Sequence, residues 1–203
     1  MYFIDPRHLD DYSDALLTRS GAVVTVRFAG AADAEALQGY FRDLSQASRY
    51  RRLMGAAREL PVGQLDVFTH LRDDGRFTVL ATMTIDGHER IVGEARYAFD
   101  EATSHFEFGL SVANQWQGHG LGMALLSNLQ CRAAALGAET LFGDTLPFND
   151  AMLGLARRAG FTFAPTPGDW KQIRLEKRIA IAPQEISCAS WRLRAEAMMQ
   201  ISA

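Results

Sequence analysis

The chain has 203 residues, 48% hydrophobic and 22% charged, with a formal net charge of −3. That supplies apolar material for one domain with its own core, and the acidic balance excludes the basic footprint that non-specific nucleic-acid binding needs. Met1 is followed by no apolar leader and no run of about 18 apolar residues occurs, so neither export nor membrane insertion is expected; Cys131 and Cys188, without CxxC or Cys/His spacing, fit free thiols in a cytoplasmic protein.

Residues 1–20 read as a polar lead-in, with Asp10, Asp11 and Asp14 ahead of Leu16 and Leu17 in a short helix. Ala22 to Phe28 is rich in β-branched residues and predicts a first strand, ended by Gly30. Asp33 is placed to cap the helix that follows, in which Leu37, Tyr40, Phe41 and Leu44 recur at the i, i+3, i+4, i+7 spacing of one buried face; Ser45 lies near its end. The basic stretch Ser48 to Met54 reads either as a solvated surface turn or as a lip over a ligand mouth. Pro61 opens a second helical stretch through Leu65, Val67, Phe68 and Leu71.

From Arg76 to Phe99 the period changes to two, and Asp86-Gly87 marks the turn of a β-hairpin. A third antiparallel strand puts Phe106, Phe108, Leu110 and Val112 on one face and His105, Glu107, Gly109 and Ser111 on the other. Then comes Gln117-Gly118-His119-Gly120-Leu121-Gly122, leading into a helix with an apolar stripe from Leu121 to Leu136 and a stop at Gly137. A strand from Thr140 to Thr145 precedes Asn149, a helix N-cap, and a helix from Met152 to Ala159 closed by Gly160. Phe161 to Phe163 and Lys171 to Lys177 read as two last strands, and the tail beyond Pro183 as a mixed helical segment. The domain organisation expected is a lead-in over 1–20, one domain over 21–180 and a tail over 181–203.

The glycines admit backbone conformations with positive φ and let a ligand touch main chain, while the helix that follows contributes unpaired N–H groups and a partial positive charge. The stretch is therefore suited to a diphosphate. No lysine follows it, which excludes a P-loop. A dinucleotide fingerprint would need a small residue where Met123 stands, although Glu139 is spaced for a ribose carboxylate, and a glycine turn that binds nothing stays open as well. None of the five histidines, His8, His70, His88, His105 and His119, has clustered ligand spacing, so no metal is expected. Trp116 is expected to pack the base of the loop.

Val112, the Q-x-x-G-x-G stretch, Asn149 and Leu155-Ala156-Arg157-Arg158-Ala159-Gly160-Phe161 stand in the order and spacing of the GNAT-family N-acetyltransferases, which the chain resembles from about Val23 to Lys177. Phe41 to Ser45, Ser48 to Tyr50 and Ile91 to Tyr97 look most like the bacterial protein-lysine acetyltransferases that modify acyl-CoA synthetases. The resemblance implies an α/β (α+β) fold: a mixed, mostly antiparallel sheet of six to seven strands with a splayed central pair and flanking helices. It implies acetyl-CoA as co-substrate, with the acetyl and pantetheine on the main chain of Leu110, Ser111 and Val112. Gln117, Gly118, His119, Gly120, Leu121, Gly122 and Met123 would hold the diphosphate, and Asn149 would touch the pantetheine arm.

The acceptor implied is a protein lysine, whose proton must go to a base because its unperturbed pKa is near ~10.4. Glu107 is the general base by resemblance; on the small-residue face, burial is expected to raise its pKa, and the competing role is an ion pair with Arg96. Glu94 is the second candidate. A main-chain N–H near Val112 would polarise the thioester carbonyl. The chain departs from the family at Ala156, where many members place a tyrosine that protonates the CoA thiolate. A small amine or protein N-terminus as acceptor, and a silent acyl-CoA sensor, are the alternatives.

Overall fold

The computed structural model describes residues 13–69 and 76–180. His8, Asp10, Asp11, His70, Leu71, Cys188 and the tail lie outside the described residues. The strands are β1 (Asp14–Leu17), β2 (Val23–Phe28), β3 (Arg76–Ile85), β4 (His88–Asp100), β5 (His105–Val112), β6 (Thr140–Thr145), β7 (Thr162–Thr166) and β8 (Asp169–Arg178), with helices α1 (Ala34–Asp43), α2 (Gln46–Leu53), α3 (Val62–Thr69), α4 (Leu121–Ala135) and α5 (Asp150–Arg158). Among the described residues one sheet of 8 strands runs in the order β1-β2-β3-β4-β5-β6-β8-β7, and within it the β5–β6 pair alone is parallel.

The strand count exceeds the six to seven expected because Asp14–Leu17, expected as a short helix, pairs antiparallel with β2. A buried polar cluster holds it there: Asn128 Nδ2 donates to Asp14 Oδ2 at 2.7 Å, Arg132 Nη2 to the same oxygen at 3.2 Å, and Arg132 Nε to Asn128 Oδ1 at 2.6 Å. The Arg132 guanidinium also lies 5.0 Å from the centre of the Phe28 ring. A buried charge is tolerated only when paired and hydrogen-bonded, so this cluster fixes which strand α4 packs across.

The two-residue period sorts side chains to two faces. Val24, Val26, Val79, Ala81, Ala95, Phe106, Phe108 and Val112 meet α4 and α5 in the larger core, while Leu80 meets Leu37, Tyr40, Phe41 and Phe68 of α1 and α3 in the smaller one. Asp33 does not cap α1: its carboxylate turns back to the Gly30 N–H at 2.8 Å and to the Arg27 guanidinium. Ser45 instead caps α2, accepting from the Ser48 N–H at 3.2 Å, so the basic stretch expected as a turn or lip is helical.

The feature that positions the site is a fork. β5 and β6 pair only through His105–Thr140, Phe106–Leu141 and Glu107–Phe142; beyond that both strands continue without pairing each other. At the parting, a Cβ on Gly143 would stand 2.6 Å from the Phe108 carbonyl oxygen, so only glycine admits this approach of the two backbones. The far side of β6 is secured by Arg174, whose Nε and Nη2 donate to Asp144 at 3.0 and 2.8 Å.

Two partly buried carboxylates link the sheet to pH. Burial pushes Asp144 up, but Arg174 and the Thr166 hydroxyl outweigh it and hold its pKa below the ordinary value; Asp33 is lowered likewise by Arg27 and the Gly30 N–H. A carboxyl depressed in the folded state contributes stability above its unfolded pKa and loses it as pH falls through the folded value. Urea midpoints are therefore expected to begin falling at about pH 5, where the unfolded carboxylates start to take up protons, and to keep falling below pH 4, and Asp144→Asn to flatten part of that slope; an unchanged slope in the variant would remove Asp144 from this role.

Candidate active site

The glycine stretch begins with a short helical turn, Asn114–Trp116, and enters α4 at Leu121. Gln117 Nε2 donates to the Val112 carbonyl at 2.9 Å and to Ser48 Oγ at 3.3 Å, tying the loop to the end of β5 and to α2. Gly118 and Gly120 have φ of +80° and +93°, and nothing lies within 4 Å of where a Gly118 Cβ would stand. Gly122 serves packing: its Cβ would meet Leu155 at 3.5 Å, where α4 approaches α5. Gly120, the N-cap of α4, offers no side-chain cap, and among the described residues the amides of Leu121, Gly122 and Met123 take no acceptor. An open mouth over unpaired amides at a helix N-terminus fits a diphosphate. The backbone edge of β5 beyond the fork fits an extended, amide-containing arm, which would hydrogen-bond as an added strand does.

Leu110, Ser111 and Val112 lie on that edge, as expected. Leu121 is fully buried, and His119 is exposed, with Nδ1 2.9 Å from the Gln117 carbonyl. Trp116 packs against the larger core. Asn149 does cap α5, accepting from the Met152 N–H at 3.4 Å, and its Nδ2 donates to Thr145 Oγ1 at 2.9 Å, which ties the end of β6 to α5. Ala156 is fully buried in the core, so a tyrosine there is absent from a packed helix face.

The two candidate carboxylates have separated. Glu94 is fully buried and receives Arg52 Nε at 2.6 Å, Arg52 Nη2 at 2.9 Å and Ser111 Oγ at 2.6 Å. Tyr40 Oη lies 2.9 Å from Ser111 Oγ. Because the single Ser111 proton goes to Glu94, Tyr40 is the donor in that contact. Burial, reinforced by the Glu94 charge, raises the Tyr40 pKa far above its ordinary value, so Tyr40 stays a donor at any working pH. Burial works against the Arg52 charge, yet Glu94 raises its pKa overall. The chain Tyr40–Ser111–Glu94–Arg52 thus bolts α1 and α2 to the fork. With both oxygens engaged, Glu94 is a structural anchor.

Glu107 is exposed, which corrects the expected burial. It stands at the last paired position of the fork, on the face that carries α1 and α2, and among the described residues it takes no hydrogen bond or ion pair. The expected Arg96 partner instead lies 5.0 Å over the Phe68 ring, and the positive charge that does sense Glu107 is Arg174. Sequence reasoning missed Tyr40 and Arg52 as site residues. Above the fork, Tyr50 of α2 stacks on Phe148 of the β6–α5 loop at 6.4 Å, so the helix spans the two parted strands.

A strand fork leading to a glycine-lined anion cradle is the layout of a coenzyme-A-dependent acyltransferase. The chain matches the acetyltransferase (GNAT) family over residues 37–161 and belongs to that family; it is an N-acetyltransferase. It is 28% identical over 153 residues to acetyltransferase PA5475 of Pseudomonas aeruginosa, covering 75% of this chain and 82% of that one. The fold is similar to the GNAT domain of S. lividans PAT, with a TM-score of 0.74 at 24% identity, covering 82% of this chain and 97% of that one. It is also similar to a cAMP-binding acyltransferase from Mycobacterium smegmatis, with a TM-score of 0.57 at 18% identity, covering 97% of this chain and 58% of that longer one. Among the described residues the sheet has one parallel strand pair and is otherwise antiparallel, which removes the dinucleotide-binding alternative, since that needs a parallel sheet.

Removing Glu94 leaves the largely buried Arg52 charge without its partner. Glu94→Ala is expected to cost about 3–5 kcal/mol in urea unfolding, and Glu94→Gln less. A cost below about 1 kcal/mol for the alanine variant, the range of an exposed pair, would show that the anchor is not needed.

Proposed function

We propose that this chain transfers acetyl from acetyl-CoA to a protein lysine in the cytoplasm, with Glu107 accepting the amine proton. The observation that carries this reading is the position of Glu107: an accessible, unengaged carboxylate at the parting of β5 and β6, on the face roofed by α1 and α2. The lysine assignment is supported by the resemblance of Phe41 to Ser45, Ser48 to Tyr50 and Ile91 to Tyr97 to the bacterial protein-lysine acetyltransferases.

Acetyl-CoA supplies an activated thioester carbonyl. The amides of Gly118 to Met123, with the Gln117 anchor behind them, hold the diphosphate. The main chain of Leu110, Ser111 and Val112 holds the pantetheine and acetyl end, and an N–H near Val112 polarises the carbonyl. Asn149 offers its second amide hydrogen to the arm while capping α5. A lysine amine becomes strongly acidic as it attacks, so the accessible Glu107 carboxylate, directly or through one water, is a competent acceptor at that moment. Nothing at Ala156 can donate a proton, so the thiol, with an ordinary pKa near ~8.5, departs as thiolate or takes its proton from solvent.

The test is mass spectrometry of acceptors incubated with isotope-labelled acetyl-CoA, across lysine-containing proteins, peptides with free N-termini and small amines. Label is expected on lysine side chains, and label confined to N-termini or small amines would overturn the lysine assignment. Glu107→Gln is expected to lower kcat by at least about 10²-fold while acetyl-CoA binding by calorimetry holds. An unaltered rate would remove Glu107 as the base.

A further inference from the structure

We propose that Arg19, on the turn between β1 and β2, is a phosphate-binding residue for the nucleotide end of acetyl-CoA. This rests on the acetyl-CoA site described above. The family match begins at residue 37, so β1, β2 and their turn lie outside the matched region. They nevertheless touch the diphosphate loop. The Arg19 N–H donates to the His119 carbonyl at 3.2 Å, and a Cβ on Gly120 would stand 3.1 Å from the Arg19 Cβ and 3.2 Å from its nitrogen. Gly120 is thus required twice, by its φ and by Arg19.

The turn that presents Arg19 is closed on itself. The Thr18 N–H donates to the Ala22 carbonyl at 2.9 Å, the Gly21 N–H to the Thr18 carbonyl at 3.0 Å, and the Ala22 N–H to Thr18 Oγ1 at 3.1 Å. At the other end of β1, Asp14 is bonded to Asn128 and Arg132 of α4. Turn and helix are therefore fixed to each other at two places. The Arg19 side chain emerges from this rigid turn exposed, and among the described residues its guanidinium has no acidic partner.

An arginine with no acidic partner among the described residues, in contact with a loop suited to hold an anion, is a third limb of that cradle beside the loop amides and the helix terminus. Its fork of donors matches phosphate oxygens, and a charge-assisted hydrogen bond there is stronger than one from a neutral group. The phosphate is either the 3′-phosphate or the diphosphate of the same ligand.

Calorimetry and steady-state kinetics would compare wild type, Arg19→Ala and Arg19→Lys with acetyl-CoA, 3′-dephospho-acetyl-CoA and acetylpantetheine. The main-chain bond to His119 survives both substitutions, so the loop keeps its support. Arg19→Ala is expected to weaken acetyl-CoA binding roughly tenfold or more, with Arg19→Lys recovering part of it, and to change kcat/KM for acetylpantetheine less than about twofold. A deficit that disappears with the dephospho ligand assigns the 3′-phosphate; one that persists there but disappears with acetylpantetheine assigns the diphosphate. Both support the proposal. An equal deficit with all three ligands, or no deficit with acetyl-CoA, overturns it. Failure of the wild type to bind acetyl-CoA would instead overturn the co-substrate reading on which the proposal depends.

Discussion

Main-chain N–H and C=O groups must find partners, and the parting of β5 from β6 leaves a row of them unspent. After Glu107 and Phe142 the parallel ladder stops, and Gly143 lets the Phe108 carbonyl lie where any side chain would forbid it. The edge from Phe108 to Val112 then faces a gap that an extended amide chain can fill as a missing strand would. The loop amides at the end of β5, the Asn149 cap at the end of β6 and the α2 roof above are all arranged around that gap.

Parted strands need bracing, and the bracing is polar. Arg52 reaches from α2 to Glu94 on β4, Glu94 accepts from Ser111 on β5, and Ser111 accepts from Tyr40 on α1. Each member has its partner, so a group of buried polar side chains that would be costly singly becomes a rigid joint. The same joint decides which carboxylate is free for chemistry. Glu94 is consumed by it, and Glu107, two strand positions from Gly109 where Arg52 packs, is left accessible.

Much of this was legible in the sequence. The hairpin at Asp86-Gly87, the alternating faces of β5, the glycine loop and the helix stop at Gly137 follow from period and turn chemistry, and each formed where expected. What failed did so for tertiary reasons. Asp14–Leu17 is too short to show a period, and it is a strand because Asp14 meets Arg132, 118 positions away. Residues of α2 carry no fully buried side chain, so no apolar stripe announced the helix, and Arg52 looked like any solvated arginine. Glu107 stands at the strand position expected of it but is exposed rather than buried, because how far a helix covers one side of a sheet is not written in the strand.

The anchoring of β1 at both ends of α4 has an entropic meaning. A glycine-rich loop left to itself samples many backbone states, and a ligand that orders it gives up part of its affinity in doing so. Here the His119 carbonyl is held by the Arg19 amide and the helix behind is held through Asp14. Most of that ordering is therefore completed when the chain folds. The N-terminal strand, remote from the chemistry, converts folding stability into a preformed binding loop.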